Sequence, residues 1–567
     1  MQMLPGTPEV TLERDVPVPM ADGVTLRADV YRPAGNAPHH VLLISHPYDK
    51  TAAEANFGYA PPAWYARQGY IVVSQDTRGR YRSEGTFYPF RHEATDVATT
   101  IEWAGRLPGS TGKVATYGFS YPGLNQLLAA QRKPAALEAI APAFTGGRPY
   151  SEWFYIQGAF SLAFAASWAN FLALDTAARR QDDAALAAYA GGLGSAAGLY
   201  WVLPLTAHPP LGLGDTPYYH DWLAHPTHDD YWTPYDVDYG QIDVPGLHIA
   251  GWWDIFVRGS IHAYVALARE GRARQKLVIG PWHHMPWRPM GGVTGADVTA
   301  NAIDDWQLRY WRHALDGEET GIFDHPITAY LTGAGWRDLD AWPPSQSRAV
   351  DWFLHSDGRA LSKFGSGTLS TEAPGDEQPD VFTYDPGLVS PSAGGHSCCD
   401  ENITPMGPAD QDAVERTRFV LVYTSAPLHR DTDLIGDAHV TLHAATTAPD
   451  TDFSARLCIV DPAGTSTNLV EGIVRASYRE SAQHPTPITP GEVYEYRIEL
   501  GPLGARIPAG HRLRLQIGSA DFPQWDRNLN TGGPFGQEPA SAGRAAIQTV
   551  LHSDQYPSRI TLPEVAA

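Results

Sequence analysis

A single serine stands at a turn between a predicted strand and a predicted helix. The run Val114–Tyr117 is strand-like, Ser120 follows closely, and an Ala- and Leu-rich helical pattern comes next. A strained strand-to-helix turn of this kind lifts a serine hydroxyl above a sheet, and small neighbours relieve the crowding. The G-x-S-x-G pattern is only partly met, because Pro122 replaces its second glycine and Gly123 comes one place later. The stretch is either a nucleophile elbow or an ordinary Gly-Ser turn.

An acid and a base must accompany this serine, because a serine hydroxyl is a weak nucleophile until a base removes its proton. Asp254 follows the apolar run Leu247–Ala250, at the carboxyl end of a predicted strand. A carboxylate among aromatic residues is costly to bury unless its charge is used, and orienting an imidazole is one such use. Alternatively, Asp254 caps the N-terminus of a helix, because a helical pattern begins at Arg258.

Two adjacent histidines follow the next predicted strand. That strand is Leu277–Ile279, and His283 and His284 come after a Gly-Pro-Trp turn. The chain order Ser, Asp, His is typical of hydrolases whose serine stands on a strand-to-helix elbow. Only one of two neighbouring side chains can point at Ser120, and the spacing does not distinguish them. The pattern predicts a nucleophile, an acid and a base for acyl transfer.

Acyl transfer also needs hydrogen-bond donors for the charge that develops on the carbonyl oxygen. The first expected donor is the backbone N–H of Tyr121, the residue after the serine. The second should come from the loop after an early strand, Ser45–Lys50, which has no glycine-rich run but contains Tyr48. The phenolic O–H of Tyr48 can donate; alternatively, Tyr48 is an aromatic residue packed at a strand end.

Two stretches of the chain carry the strands that would position these residues. Residues 1–146 and 241–348 alternate short apolar runs with helical patterns, which predicts an α/β domain with a parallel sheet covered on both faces. Residues 147–240 are rich in Ala, Leu and aromatic residues, so we expect an inserted helical segment over the carboxyl ends of the strands. Over residues 349–567 apolar residues recur at every second position, as in the strands of a β-sandwich or jelly roll.

Composition excludes several classes of function. The net charge of −22 argues against nucleic acid as a partner, and 17 Trp, 27 Tyr and 18 Phe argue against disorder. The three cysteines form no C-x-x-C pair, and we expect no metal and no other cofactor. No apolar stretch reaches the ~20 residues of a bilayer span, and Met1–Val10 shows no secretory signal. We expect a cytoplasmic protein that binds a small molecule and no membrane; its oligomeric state, a homo-oligomer included, stays open.

Taken together, these residues resemble the cocaine esterase family of serine hydrolases, which is related to the X-Pro dipeptidyl peptidases and the α-amino acid ester hydrolases. The similar stretches span the chain. They are His46–Lys50, Gln75–Gly79, Gly118–Tyr121, Gly251–Asp254, Gly280–His284, Asp450–Phe453, Gly472–Arg475, Pro508–Arg512 and Phe522–Gly532. The resemblance implies an α/β-hydrolase domain with an inserted helical cap and a C-terminal β jelly-roll domain.

The resemblance also implies roles for individual residues. Ser120 matches the family's nucleophile and Asp254 its acid. The family's base is the last residue of a G-P-W-x-H pattern, which corresponds to His284. The hydroxyl of Tyr48 and the N–H of Tyr121 match the two donors of the family's oxyanion hole.

The acyl pocket is carried over from the same resemblance. Trp153, Trp168 and Phe256 match aromatic residues that hold a benzoyl group in the family, which implies an ester of an aromatic or bulky apolar acid. The alternative is that the two tryptophans form the core of the cap. Glu152 could neutralise a substrate ammonium, as related enzymes require, but we favour a solvated acid. The loop Gly394–Cys399 faces the same site in family members.

Four further charged residues, Asp76, Arg78, Asp526 and Arg527, are interpreted as structural, because buried Asp–Arg pairs lock loops and interfaces.

The expected function is a serine carboxylesterase or acylase that forms an acyl-enzyme on Ser120. One alternative is an amidase or aminopeptidase of the same superfamily, acting on N-terminal dipeptides, β-lactams or acylated amines. The other is a non-catalytic protein that binds a carbohydrate or a partner through the jelly roll.

Overall fold

The computed structural model describes residues 9–52, 60–286, 301–398 and 406–565. Its α-helices are α1 Pro62–Arg67, α2 Glu93–Gly105, α3 Tyr121–Ala130, α4 Leu162–Arg179, α5 Asp183–Gly194, α6 Ala196–Leu199, α7 Pro217–Ala224, α8 Val257–Glu270, α9 Asn301–Ala314 and α10 Asp412–Glu415. The strands of its first half are β1 Val10–Pro19, β2 Thr25–Pro33, β3 His39–His46, β4 Ile71–Asp76, β5 Ser110–Phe119, β6 Leu137–Ala143, β7 Tyr155–Ile156, β8 Ala159–Phe160, β9 Gly246–Trp253, β10 Gln275–His283, β11 Ile327–Leu331 and β12 Gly335–Leu339. The strands of its second half are β13 Ser347–His355, β14 Thr368–Ser370, β15 Asp380–Tyr384, β16 Leu421–Ser425, β17 Thr432–Thr446, β18 Asp452–Val460, β19 Ser466–Arg475, β20 Tyr494–Ile507, β21 Arg512–Gly518, β22 Ala546–Leu551 and β23 Arg559–Val565.

The first sheet is mixed, with the strand order β1-β2-β4-β3-β5-β6-β9-β10-β11-β12. The strands from β4 to β11 in this order run parallel, and β4 and β9 are buried along their whole length. Continuous burial is expected where helices cover both faces of a parallel sheet. The sequence did not predict the antiparallel edges, which are the β1–β2 pair and β12. Parallel pairing brings the carboxyl ends of β3, β5, β9 and β10 to one edge, where the candidate residues lie.

The segment between β6 and β9 contains the helices α4 to α7 and the short hairpin β7–β8. Helix α4 is buried on nearly all sides, which explains why its sequence is apolar all round rather than amphipathic. The guanidinium of Arg80, in the loop after β4, donates to the carbonyl of Leu172 in α4 at 2.7 Å. This contact ties the inserted helices to the edge of the sheet that carries the candidate residues.

The strands β13 to β23 form a second, largely antiparallel set, with the order β15-β22-β17-β23-β13-β14-β16-β21-β18-β19 and β20 beside β17. Alternating burial along β15 accounts for the period of two. The predicted α/β domain, helical insertion and β jelly roll are therefore all present. The boundaries predicted at 146, 240 and 348 stay predictions, although β6 ends at Ala143, β9 begins at Gly246 and β13 begins at Ser347.

Ion pairs, some of them buried, fix the loops around this frame. Arg78 contacts Asp22 at 2.7 Å and Asp96 at 2.8 Å, and Arg475 contacts Asp526 at 2.9 Å, as expected for structural Asp–Arg pairs. For Arg527 the expected pair is wrong, because its guanidinium donates to the backbone carbonyls of residues 386 and 201 instead. Within the described ranges, no helix is both long enough and apolar enough to cross a bilayer.

Candidate active site

Ser120 lies at the sharp turn between β5 and α3. The strand ends at Phe119 and the helix begins at Tyr121, so the serine alone makes the turn. Its φ of 64° and ψ of −125° are strained for a residue with a Cβ, at a cost of roughly 1–3 kcal/mol. The N–H of Ser120 donates to the carbonyl of Ala143 at 2.8 Å, which ties the turn to the end of β6.

Two glycines leave room for this turn. A Cβ on Gly118, whose φ is 134°, would come within 2.5 Å of the Cβ of Pro122. A Cβ on Gly123 would come within 2.8 Å of the side chain of Thr145. The crowded position after the serine is therefore 123 rather than 122, which explains why the sequence departs from G-x-S-x-G.

A chain of hydrogen bonds joins Ser120, His284 and Asp254. Nε2 of His284 lies 3.1 Å from Oγ of Ser120, and Nδ1 lies 2.7 Å from Oδ1 of Asp254. Because a carboxylate accepts, Nδ1–H donates to Asp254, and the serine O–H donates to the free lone pair on Nε2. The serine is 6% exposed, the histidine 3% and the aspartate 0%. This arrangement can remove the serine proton and stabilise the imidazolium that results.

The structure distinguishes between the two adjacent histidines. His283 ends β10 and pairs with Trp253 of β9, and its Nδ1 accepts the N–H of Met285 at 3.0 Å. His284 comes one residue after the strand, and its ring contacts Ser120. Successive residues at a strand end point in different directions. Of the two histidines, His284 therefore has the geometry that a base for Ser120 needs.

The two expected oxyanion donors are the hydroxyl of Tyr48, which contacts the serine side chain, and the backbone N–H of Tyr121, which follows the serine in the chain. A hydrogen bond joins the side chains of Tyr48 and Ser120, and the indole N–H of Trp168 donates to Oη of Tyr48 at 3.1 Å. Burial raises the pKa of Tyr48 above its ordinary value, so the hydroxyl keeps the proton that it would donate. Tyr121 is the first residue of α3, where backbone N–H groups have no acceptor within the helix.

Buried charges hold the loop after β3 in place. The N–H of Lys50 donates to Oδ1 of Asp76 at 2.7 Å, and burial raises the pKa of this carboxyl to about 7. Nε of Arg80 donates to the carbonyl of Pro47 at 3.1 Å, and Arg80 also reaches Leu172 in α4. These contacts agree with a structural role for Asp76. Sequence reasoning did not find Arg80, which links this loop to the inserted helices.

Three aromatic rings continue from His284 towards the inserted helices. The ring of Phe256 lies 5.0 Å from that of His284, Trp153 lies 4.2 Å from Phe256, and Trp168 lies 6.1 Å from Trp153. Trp168 also stacks on Trp222, 5.7 Å away, in the core of the insertion. The two interpretations from the sequence are therefore compatible, because the same rings border the site and fill the cap.

Two further aromatic residues at the site were not found from the sequence. Phe119, directly before the serine, has its ring 5.7 Å from that of His284, and its place in the elbow was the available signal. Phe90 has its ring 4.7 Å from Tyr121 and 5.2 Å from Trp153. Its φ of 66° places it in a tight loop conformation for which the sequence carries no pattern.

The loop of the second domain that precedes Cys399 reaches the acid. Ser397 forms an isolated backbone bridge with Asp254, and the ring of His396 lies 5.8 Å from that of Trp253. Nδ1 of His396 contacts Oε1 of Glu471, on β19, at 2.9 Å. Cys399 lies outside the described residues. The second domain therefore contacts the residue that holds the imidazole.

The interpretation of Glu152 as a solvated acid is wrong. The side chain is buried, its Oε1 lies 2.6 Å from Nδ1 of His262, and its Oε2 accepts the N–H of Arg148 at 2.9 Å. A buried carboxylate needs such partners, because desolvation penalises its charge. Glu152 and Trp153 share the lining of a small cavity of about 30 Å³.

Comparison with known proteins gives a consistent result along the chain. A model of the X-Pro dipeptidyl-peptidase (S15) family matches residues 22–286, and a model of the X-Pro dipeptidyl-peptidase C-terminal non-catalytic domain matches residues 313–561. Cocaine esterase of Rhodococcus sp. (strain MB1 Bresler) is 34% identical over 97% of this chain and 98% of its own length. The chain belongs to the cocaine esterase family of serine hydrolases.

Solved structures share this fold over the whole chain. An aminopeptidase from a marine sediment Thaumarchaeota archaeon superposes with a TM-score of 0.83 at 25% identity, over 100% of this chain and 98% of that one. An α-amino acid ester hydrolase shares the fold, with a TM-score of 0.81 at 23% identity over 100% and 98% of the two chains. In this member of the cocaine esterase family, Ser120, Asp254 and His284 all lie within the S15 match. Within the described residues, no group of three or more His, Cys, Asp or Glu could hold a metal ion.

Proposed function

We propose that the protein is a serine esterase that cleaves carboxylic esters of aromatic or bulky apolar acids through an acyl-enzyme on Ser120. The hydrogen-bonded chain from Ser120 through His284 to Asp254 carries this proposal. The similarity to a protein named cocaine esterase supports an ester as the substrate. The proposal includes action in the cytoplasm on a small molecule, without cofactor, nucleic acid or membrane.

The first half of the reaction forms the acyl-enzyme. Nε2 of His284 takes the proton of Ser120 while Oγ bonds to the ester carbonyl carbon, and the carbonyl oxygen becomes an oxyanion. The O–H of Tyr48 and the N–H of Tyr121 donate to that oxyanion. When the intermediate collapses, the ester C–O bond breaks and the leaving alcohol takes the proton from His284.

The second half frees the enzyme. Water attacks the acyl carbon while Nε2 of His284 accepts one of its protons, and a second oxyanion forms between the same two donors. Collapse breaks the bond to Oγ of Ser120, which recovers its proton from His284, and the carboxylic acid leaves. Asp254 holds Nδ1–H throughout and stabilises the imidazolium in both halves.

Replacement of Tyr48 by phenylalanine should test the oxyanion donor. We expect Tyr48→Phe to lower kcat by about 10²–10³-fold, the typical cost of removing one such donor. The protein should fold normally, because the ring stays in place and only the hydroxyl is lost. Stopped-flow or steady-state hydrolysis of a 4-nitrophenyl ester measures the effect.

Tyr219→Phe is the matched control, because Tyr219 is a buried phenol of the insertion whose hydroxyl donates to the carbonyl of Leu205. Its kcat should stay near that of the wild type. Wild-type turnover in a correctly folded Tyr48→Phe variant would remove Tyr48 from the mechanism.

The acyl preference can be tested at Phe256, which lies between His284 and Trp153. An aromatic pair is worth ~0.5–1.5 kcal/mol beyond its buried area, so Phe256→Leu should lower kcat/KM for a benzoyl ester relative to a butyryl ester by about 3- to 10-fold. Phe154→Leu, in the core of the insertion against Trp222, is the control and should leave the ratio unchanged. An unchanged ratio in Phe256→Leu would exclude this ring from acyl recognition.

A second candidate is an aminopeptidase or amidase of the same superfamily. The likeness to the archaeal aminopeptidase favours it. Parallel assays with an aryl ester, an α-amino ester and an X-Pro anilide separate the two candidates, because the preferred acyl group differs among them. A fluorophosphonate that fails to label Ser120 in folded protein would instead favour a non-catalytic binding protein.

A further inference from the structure

The side chain of Tyr121 is held by a carboxylate on a neighbouring helix. The hydroxyl of Tyr121 donates to Oε1 of Glu93, at the start of α2, and accepts the N–H of Phe90 at 3.1 Å. The other carboxylate oxygen of Glu93 accepts the N–H of His92 at 3.0 Å. Every polar atom of this contact therefore has a partner. Tyr121 is 0% exposed and Glu93 is 3% exposed, so the contact is sealed from solvent.

The ring of Tyr121 is central to the aromatic residues around the serine. It stacks on Phe90 at 4.7 Å, lies 6.5 Å from Tyr48 edge to face, and lies 6.0 Å from Trp168. Trp168 in turn donates to the hydroxyl of Tyr48. A shift of this ring would therefore disturb the positions of both proposed oxyanion donors, the backbone N–H of residue 121 and the hydroxyl of Tyr48.

Glu93 occupies a costly position for a carboxyl group. Burial raises its pKa to about 7, against the lowering effect of the Tyr121 hydroxyl. The nearby Asp96 raises the pKa of Glu93 as well, and Arg78 is engaged with Asp96 and Asp22 rather than with Glu93. Because desolvation penalises the charge of a buried carboxyl group, the hydrogen bonds of Glu93 to Tyr121 and to the N–H of His92 offset part of that penalty.

We propose that Glu93 is a positioning residue for the oxyanion hole: it anchors the Tyr121 side chain and thereby fixes the backbone N–H of residue 121 and the ring that supports Tyr48. This inference rests on the proposed acyl-transfer function of the same site. Donors act on the transition state only if they are held at the place where the oxyanion forms, since they must not reorganise as the charge develops. A displacement of about 1 Å can cost on the order of 10²-fold in rate.

The test compares three substitutions at pH 8.5, where Glu93 is mainly ionised. Glu93→Leu and Tyr121→Phe each break the contact from one side, and each should lower kcat for a 4-nitrophenyl ester by about 10- to 100-fold with KM within about 2-fold of wild type. The double variant should be no slower than the slower single variant, because both remove the same interaction. Glu93→Gln keeps an acceptor oxygen and should recover kcat to within about 3-fold of wild type.

Binding of two ligands separates positioning from a merely structural role. Phenylboronic acid forms a tetrahedral adduct with the serine, and its affinity should fall in Glu93→Leu by the same factor as kcat, whereas the affinity for benzoate should not change. Glu102→Ala, on the same helix but bonded to the backbone of residue 135, is the control and should leave both affinities unchanged. Unchanged kcat in folded Glu93→Leu, additive losses in the double variant, or unchanged boronate affinity would each overturn the proposal.

The same experiment distinguishes failure of this inference from failure of the proposed function. If the wild type hydrolyses no ester, the rate of fluorophosphonate labelling of Ser120 replaces kcat, because phosphonylation also places a charged oxygen between the two donors. A labelling rate that Glu93→Leu does not change overturns the role of Glu93. A labelling rate that falls about 10-fold or more supports it, whatever the physiological substrate is.

Discussion

Ser120→Ala is expected to lower kcat by about 10⁶-fold while the folded protein persists. The hydroxyl is the atom that forms the acyl-enzyme, and no other group in the hydrogen-bonded chain can replace it as the nucleophile. The oxyanion donors and the aromatic residues beside the site remain, so hydrolysis should still be about 10³–10⁴-fold faster than the uncatalysed reaction in water. Steady-state hydrolysis and intact-mass detection of the acyl-enzyme measure both parts of the result.

Two further variants, His284→Ala and Ser120→Gly, make this result specific. His284→Ala should cost about as much as Ser120→Ala, and the double variant should cost no more than either, because the pair acts as a unit. Ser120→Gly should be as inactive as Ser120→Ala but melt at a higher temperature, because glycine adopts a φ of 64° without strain. Turnover within 100-fold of the wild type in Ser120→Ala would move the nucleophile to another residue.

The meeting of the three proposed catalytic residues, Ser120, Asp254 and His284, could be predicted from the sequence because each follows a short apolar run. Parallel strands place their carboxyl ends at one edge of a sheet, so residues after β5, β9 and β10 meet there although they are far apart in the chain. The choice between His283 and His284 lay beyond spacing, because it depends on the direction in which the chain leaves β10. Only the resemblance anticipated it.

Other features of the site had no signal that sequence patterns could carry. Glu93, Phe90 and Arg80 come from loops and helix starts between the recognised motifs, and each acts through contacts with residues far from it in the chain. Charge alone predicted Glu152 as solvated, but burial beside His262 depends on how the insertion packs on α8. The bridge between Asp254 and Ser397 joins two domains, which no local pattern can indicate.

The bridge to Ser397 also bears on what the second domain does. Its family model is described as non-catalytic, yet the loop before Cys399 pairs with the backbone of Asp254. Glu471 holds that loop, because its Oε1 accepts the N–H of His396 at 2.6 Å. Burial alone would raise the pKa of Glu471, but its interactions with His396 outweigh burial and lower the pKa to about 2. The carboxylate of Glu471 therefore stays charged, and the loop that it holds contacts the backbone of Asp254 in the first domain.

Asp254→Asn should lower kcat by about 10⁴-fold without unfolding the protein. Asp254 is 0% exposed, its Oδ1 receives Nδ1–H of His284, and its Oδ2 has no hydrogen-bond partner among the described residues, so its charge is directed at the imidazole. An asparagine that presents its NH₂ group to Nδ1 forces the proton onto Nε2, where the ring can no longer accept the serine proton. An asparagine that presents its carbonyl keeps the tautomer but loses the charge that stabilises the imidazolium.

Both arrangements slow acylation, so fluorophosphonate labelling should slow as well, whereas Asp183→Asn in α5 should change neither rate. A kcat within 10-fold of the wild type would show that His284 works without this carboxylate, and the acid would then have to be sought elsewhere.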